Sequence, residues 1–109
     1  MNFNVWSKHL WICIHFMTLQ LELDKKHNMY NESSYETIIH FLENMHTIMT
    51  CSYCKDKYIL FLEKYDLKNY DGSLFEWSIL LHNYVNHYLE KIEWTIEYAR
   101  EYYTNMLPK

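Results

Sequence analysis

A single glycine, Gly72, and a single proline, Pro108, punctuate the 109 residues of this chain, and that scarcity constrains its fold more than any other feature. A β-sandwich or barrel reverses direction every several residues, and its turns draw on those two residue types. Long stretches without them favour helices. Hydrophobic residues make up 50% of the sequence, which argues against disorder. The length suits one domain, spanning 1–109, with a single core.

The apolar residues repeat at helical spacing. From about Phe3 to Leu23, the residues Trp6, Leu10, Ile14, Met17 and Leu21 fall three and four apart on one face, and Trp11 and His15 share another. The polar stretch Asp24 to Glu32 reads as a loop. Ser33 and Glu36 form a capping-box pattern opening a second helix. Its stripe is Ile38, Leu42, Met45 and Met49, and it is expected to stop near Thr50. Thr50 would cap a third helix beginning at Cys51, whose face runs Cys54, Tyr58, Phe61, Leu62 and Tyr65. Asp66 to Gly72 is a loop. Ser73 and Glu76 repeat the capping box and start a fourth helix to about Glu90, with Leu74, Trp77, Leu81, Val85 and Tyr88 inward. A last helix from about Glu93 to Tyr103 offers Trp94, Tyr98, Tyr102 and Met106. The expected fold is all-α: a four-helix bundle plus a short fifth helix.

Charge and termini narrow the function classes. The net charge is -4 with no basic run, so there is no electrostatic footprint for nucleic acid. Met1 to Gln20 is apolar but interrupted by Lys8, His9 and His15, and it lacks a cationic start and a small-residue cleavage site. It reads as neither a signal peptide nor a membrane span. Three cysteines in that context point to a reducing, cytoplasmic setting. Aromatic residues reach 18%, which fits either an aromatic core under compositional bias or a pocket for a flat ligand.

Two of the cysteines form Cys51-Ser52-Tyr53-Cys54. Thiols three residues apart on a helical first turn lie close enough to form a disulfide. The helix amides beside the first thiol favour its thiolate. Three readings compete: a redox centre, half of a zinc site, or two incidental cysteines. Zinc needs two more ligands, and neither a second CxxC nor a downstream histidine pair at finger spacing supplies them, although His40, His46, His82 and His87 are present. A thioredoxin fold would need strands around the motif. Redox chemistry is the favoured reading.

The fourth helix adds polar groups beside its buried stripe: His82, Asn83 and Asn86, followed by Lys91. His82 and Asn86 face one way. Without protein partners, such groups would suit a polar ligand rich in donors and acceptors. The plainer reading is that they are exposed, or satisfied by neighbouring helices.

Taken together, Trp11-x-x-x-His15, then the CxxC, then His82-Asn83-x-Val85-Asn86 with Lys91 beyond resembles the Erv/ALR sulfhydryl oxidases. The resemblance covers Trp6 to about Tyr102. It is nearest in character to the short single-domain versions of large cytoplasmic DNA viruses, which would place the protein in host cytoplasm or virion. The resemblance implies an FAD-dependent helical enzyme that makes disulfides in dithiol proteins and passes the electrons to dioxygen, giving hydrogen peroxide. Cys51 and Cys54 would be the catalytic pair, Cys54 next to the flavin and Cys51 exchanging with substrate. Ser7, Lys8, Trp11, His15, Ile79, His82, Asn83, Val85, Asn86, Lys91 and Tyr102 would form the FAD site. Tyr98 is a second candidate for the aromatic at the adenine end. The partner implied is a small thioredoxin-like protein, and the assembly a homodimer through the first two helices.

Several positions depart from the family pattern. Thr50 stands where a proline is common before the CxxC, and Ser7 where a glycine is common before the first tryptophan. Lys8 replaces a frequent arginine. Ile79 occupies the first position of a structural disulfide found in cellular relatives, and no cysteine follows it. No second pair is present to shuttle electrons, so substrate thiols are expected to reach Cys51 directly. Cys13, between Ile12 and Ile14, is expected to be a buried structural thiol, with a dimer disulfide as the minor alternative. Against the flavin-linked oxidase stand two other classes: a small zinc-binding helical interaction module using the CxxC and histidines, and a purely structural helical protein with a fortuitous CxxC.

Overall fold

The computed structural model describes residues 3–49 and 51–107, with side chains from Lys8 onward. Its regular structure is helical: α1 (Phe3–Lys26), α2 (Glu32–Asn44), a 3-10 turn (Met45–Ile48), α3 (Ser52–Lys64), α4 (Leu74–Tyr88) and α5 (Ile96–Met106). The described residues contain no strand. The expected all-α class and helix order are therefore observed.

Helix α1 and helix α4 pack most extensively on each other and form the central wall. Each buries two faces. On one side, Ile14 and Leu21 of α1 and Leu74, Trp77 and Leu81 of α4 meet Ile39 and Leu42 of α2, with Tyr58 and Phe61 of α3. On the other side, Leu19, Phe75 and Ile79 meet Ala99 and Tyr103 of α5. Trp77 is fully buried, and its indole N–H donates to the Tyr65 carbonyl at the end of α3, so the largest core side chain is also satisfied.

The helix ends show which local signals won. Ser73 and Glu76 form the expected capping box, with Glu76 N–H donating to Ser73 Oγ and Ser73 N–H to Glu76 Oε2. Gly72 sits directly before it at φ 154°, and a Cβ there would lie 2.6 Å from the same Glu76 oxygen. The only glycine is thus placed where the capping carboxylate needs the room.

The second helix differs from expectation. Asn31 caps it through Oδ1, which accepts from the amides of Ser33 and Ser34, so the helix starts upstream of Ser33 and no Ser33–Glu36 box is needed. The first helix runs past Leu23 to Lys26 and closes with Asn28 at φ 59°, where Met29 N–H reaches back to the Asp24 carbonyl. Thr50, expected as the cap of α3, lies outside the described residues; Cys51 itself is the N-cap and Ser52 begins the helix. The phase of α5 also differs: Ala99 and Tyr103 are buried, whereas Tyr98, Tyr102 and Met106 are exposed. The small Ala99 allows α5 to approach the wall on that face.

Cys13 is exposed, not buried as its isoleucine neighbours led us to expect. The wall-facing positions of α1 are Ile14, His15 and Thr18, and Cys13 points away from them with Ile12. No described helix is long and apolar enough to cross a membrane.

Candidate functional site

A cleft of about 720 Å³ opens between the N-terminal half of α1, the start of α3, the C-terminal half of α4 and α5. That size lies within the range of small-molecule and cofactor sites. Cys51 and Cys54 border it together with Lys8, Trp11, Ile79, His82, Asn83, Val85, Asn86, Lys91 and Tyr102. One concavity therefore gathers residues that the sequence scatters from Lys8 to Tyr102.

Cys51 terminates the extended segment before α3, and its sulfur caps the helix by accepting from Cys54 N–H at 3.2 Å. The Cys54 thiol points at the same sulfur, so the two sulfurs are direct neighbours at the start of α3. The Cys54 thiol and then its backbone N–H stabilise charge on Cys51 and hold its pKa below the ordinary thiol value. Burial, followed by the hydrogen bond to Cys51, pushes Cys54 up to about 11. Of the two sulfurs, Cys51 is therefore the one that ionises more readily, in line with its place at the helix start.

Part of the cleft lining is aromatic. Trp11 lies flat on His82, ring centroids 4.1 Å apart and planes within 6°. His82 Nδ1 is 2.8 Å from His15 Nε2. His15, expected to touch a cofactor directly, is fully buried behind His82 and does not border the cleft, because α1 turns it toward Ser78 of α4. Burial, then the charge of His82, lowers the His15 pKa to about 3; burial, then the Lys91 cation, lowers that of His82 to about 4.

Asn83 and Asn86 have the protein partners that the sequence could not show. Asn83 Nδ2 donates to the Trp94 carbonyl at 2.6 Å and its Oδ1 accepts from Trp94 N–H at 2.8 Å. Asn86 Nδ2 donates to the Ile92 carbonyl at 3.2 Å. These bonds hold residues 89–95 as a strap along the cleft, carrying Leu89, Lys91, Ile92 and Trp94 to its edge. The strap begins with Glu90 at φ 57°, where Lys91 N–H donates to the Asn86 carbonyl and Glu90 N–H to the His87 carbonyl, closing α4.

Some lining residues escaped the sequence reading. Lys57 and Tyr58 follow Cys54 by three and four positions, so helical spacing from the CxxC would have found them. Lys57 Nζ lies 4.1 Å from the centre of the Tyr88 ring and 5.4 Å from that of Tyr53, packing the mouth near the thiols. Tyr103 borders the cleft beside Tyr102, and Tyr98 does not. Ile12, Met49, Leu89 and Ile92 carry no local signal of their role. The side chain of Ser7 lies outside the described residues.

The zinc reading finds no donor set. Among the described residues, no three His, Cys, Asp or Glu side chains converge on one point. His40 is exposed on α2, and His46 stacks on Tyr58 with its Nδ1 buried and unpartnered.

A helical bundle that seats a CxxC thiol pair at the edge of a nucleotide-sized aromatic cleft defines a class of thiol-redox proteins. The chain belongs to the Erv1 / Alr family, whose sequence model matches residues 8–104. Members of that family are in general FAD-linked sulfhydryl oxidases. No curated protein and no solved structure matches the chain.

Proposed function

We propose that this protein is an FAD-linked thiol oxidase that forms disulfides in dithiol proteins through Cys51 and Cys54. The observation that carries the reading is that both thiols border the same cleft as Trp11 and His82. The donor set suits FAD: flat aromatic faces for its rings, and Lys8 and Lys91 at the edge for its diphosphate. Trp11, His82, Val85, Asn86, Lys91 and Tyr102 would hold the cofactor, with Tyr103 added. Ile79 and Asn83 shape the cleft wall, and His15 supports His82 from behind.

Substrate oxidation is thiol–disulfide exchange. A thiolate of the reduced partner attacks Cys51 Sγ in the Cys51–Cys54 disulfide, forming a mixed disulfide and releasing Cys54, which takes up a proton. The partner's second thiolate then attacks its own sulfur in the mixed disulfide and releases Cys51. The low pKa of Cys51 favours that departure. The partner leaves with a new disulfide, and its two electrons remain on the Cys51/Cys54 dithiol. FAD, when bound, would supply a two-electron acceptor for that dithiol and a route onward to dioxygen, giving hydrogen peroxide.

The partner in this reading is a small thioredoxin-like protein that presents two thiols to Cys51. A homodimer through α1 and α2 belongs to the same reading, supported by exposed Met29 and Tyr30 in the turn between them. Light scattering on the eluted protein checks it: a monomer mass removes the dimer. A cytoplasmic or virion setting, with kinship to the short viral enzymes, rests on the motif resemblance and the Asn-, Lys- and Tyr-rich composition.

The visible absorption spectrum of the purified protein tests the central claim. Flavin bands, with dithiol-dependent oxygen consumption that Cys54→Ser abolishes, support it. A colourless protein that takes up no FAD on reconstitution overturns it.

A further inference from the structure

Ser78 belongs to no motif of the sequence, yet it is fully buried and stands at the end of a hydrogen-bonded line leading to the cleft. Its hydroxyl carries one proton and lies 2.7 Å from the Phe75 carbonyl, a group that can only accept. Thr18 Oγ1, 3.3 Å from Ser78 Oγ, lies 2.9 Å from the Ile14 carbonyl and 3.1 Å from that of His15, so its proton is also directed at backbone. With its proton on the Phe75 carbonyl, the shortest of its contacts, Ser78 turns a lone pair toward His15.

His15 Nδ1 is 2.9 Å from that lone pair and then carries the hydrogen. A neutral imidazole has a single N–H, so His15 Nε2 is an acceptor. His82 Nδ1, 2.8 Å away, must then donate. That leaves His82 Nε2 bare, on a ring that borders the cleft and is held flat by Trp11. An imidazole in water prefers its hydrogen on Nε2, so the line inverts the ordinary preference at both histidines. Which nitrogen carries the proton is set by the bond the other one makes. Both rings are neutral at neutral pH, since burial depresses each of them.

We propose that Ser78 is a positioning residue that holds His15 and His82 in their Nδ1–H forms, so that His82 offers the cleft a bare Nε2 and selects a bound group that donates a hydrogen bond there. An exocyclic amine or a hydroxyl of the cofactor is such a group. This selectivity rests on the flavin reading of the cleft; the state of the two imidazoles does not.

Long-range nitrogen–proton correlation spectra of the histidine-labelled protein, with flavin bound or without, read the tautomers directly. The wild type is expected to show Nδ1–H at both His15 and His82. Ser78→Ala removes the acceptor for His15, and His82 should shift to Nε2–H with the far-ultraviolet helical signal retained. The FAD dissociation constant, read from flavin fluorescence, should rise roughly ten-fold as an acceptor in the cleft becomes a donor. Ser78→Thr, which keeps the hydroxyl, should restore both readouts. Nε2–H at His82 in the wild type, or unchanged tautomers in Ser78→Ala, overturns the inference. Failure of the wild type to bind FAD while its tautomers are as stated removes the proposed selectivity and the flavin reading together, and leaves the assignment of the imidazoles standing.

Discussion

Asn83 of α4 closes both polar atoms of its carboxamide on the backbone of Trp94, donating to the carbonyl at 2.6 Å and accepting from the N–H at 2.8 Å. The side chain thereby acts as one rung of a β-ladder, pinning the strap to α4. Removing it leaves two backbone groups of Trp94 without their partners. Asn83→Ala is expected to lower the unfolding free energy by about 2–3 kcal/mol. Urea denaturation in the absence of flavin measures this. A residue serving only to bind ligand would show no such loss, so unchanged stability refutes the rung.

The thiol pair makes a prediction about chemical selectivity. The reduced protein, treated with iodoacetamide at neutral pH, should be alkylated at Cys51 before Cys54. Cys51 is lowered below the usual thiol value, so its thiolate fraction at neutral pH is raised; Cys54, at about 11, stays protonated until strongly alkaline pH. Peptide mapping after partial reaction gives the order. Cys13 is also exposed and must be replaced by serine first. Faster labelling of Cys54 would place the thiolate on the wrong sulfur.

Acid should weaken the fold through the two buried histidines. His15 and His82 titrate near 6.5 in the unfolded chain but at about 3 and about 4 when folded. Between those values the unfolded state binds more protons, so stability falls as pH drops below about 6.5 and is level above it. Between pH 6.5 and 5 the loss should be on the order of 1–2 kcal/mol per histidine. Melting temperatures across that range test this, and His82→Gln should flatten the slope. A wild-type melting temperature independent of pH there would contradict neutral burial.

Glu90 holds a left-handed backbone at φ 57° to close α4. Glycine adopts that conformation without a Cβ conflict. Glu90→Gly is expected to stabilise the protein by about 1 kcal/mol, seen as a higher denaturation midpoint with an unchanged slope. A lower midpoint would show that the glutamate side chain matters more than its backbone strain.

Most of the helices were legible because their signals are local. The stripe of Leu74, Trp77 and Leu81, the box of Ser73 and Glu76, and the thiol pair at a helix start all depend on residues within about one or two turns of each other. The CxxC with the helix-four motif was enough to mark the family. The structure differs from the sequence pattern where two local signals compete or where burial is decided at a distance. Asn31 displaced Ser33 as a cap because its carboxamide reaches two amides from outside the helix. Cys13 looked buried among isoleucines, but α1 is apolar on more than one face and packing selects which faces are covered. In α5, Ala99 and Tyr103 are buried rather than the brighter stripe of Tyr98 and Tyr102, since close approach to the wall favours the small residue.

What the sequence determined by itself is the helical class, the order of the elements and the placing of two thiols at a helix start, since these follow from spacing along the chain. Only the tertiary structure decided that Asn83 binds backbone, that His15 is buried against His82, and that Ser78 stands behind both. A hydrogen bond between residues 63 or 67 positions apart has no periodic signature. Its partners become neighbours only when α1 is laid against α4, and it is that packing, driven by apolar burial on two faces, which turns scattered polar residues into one ordered line.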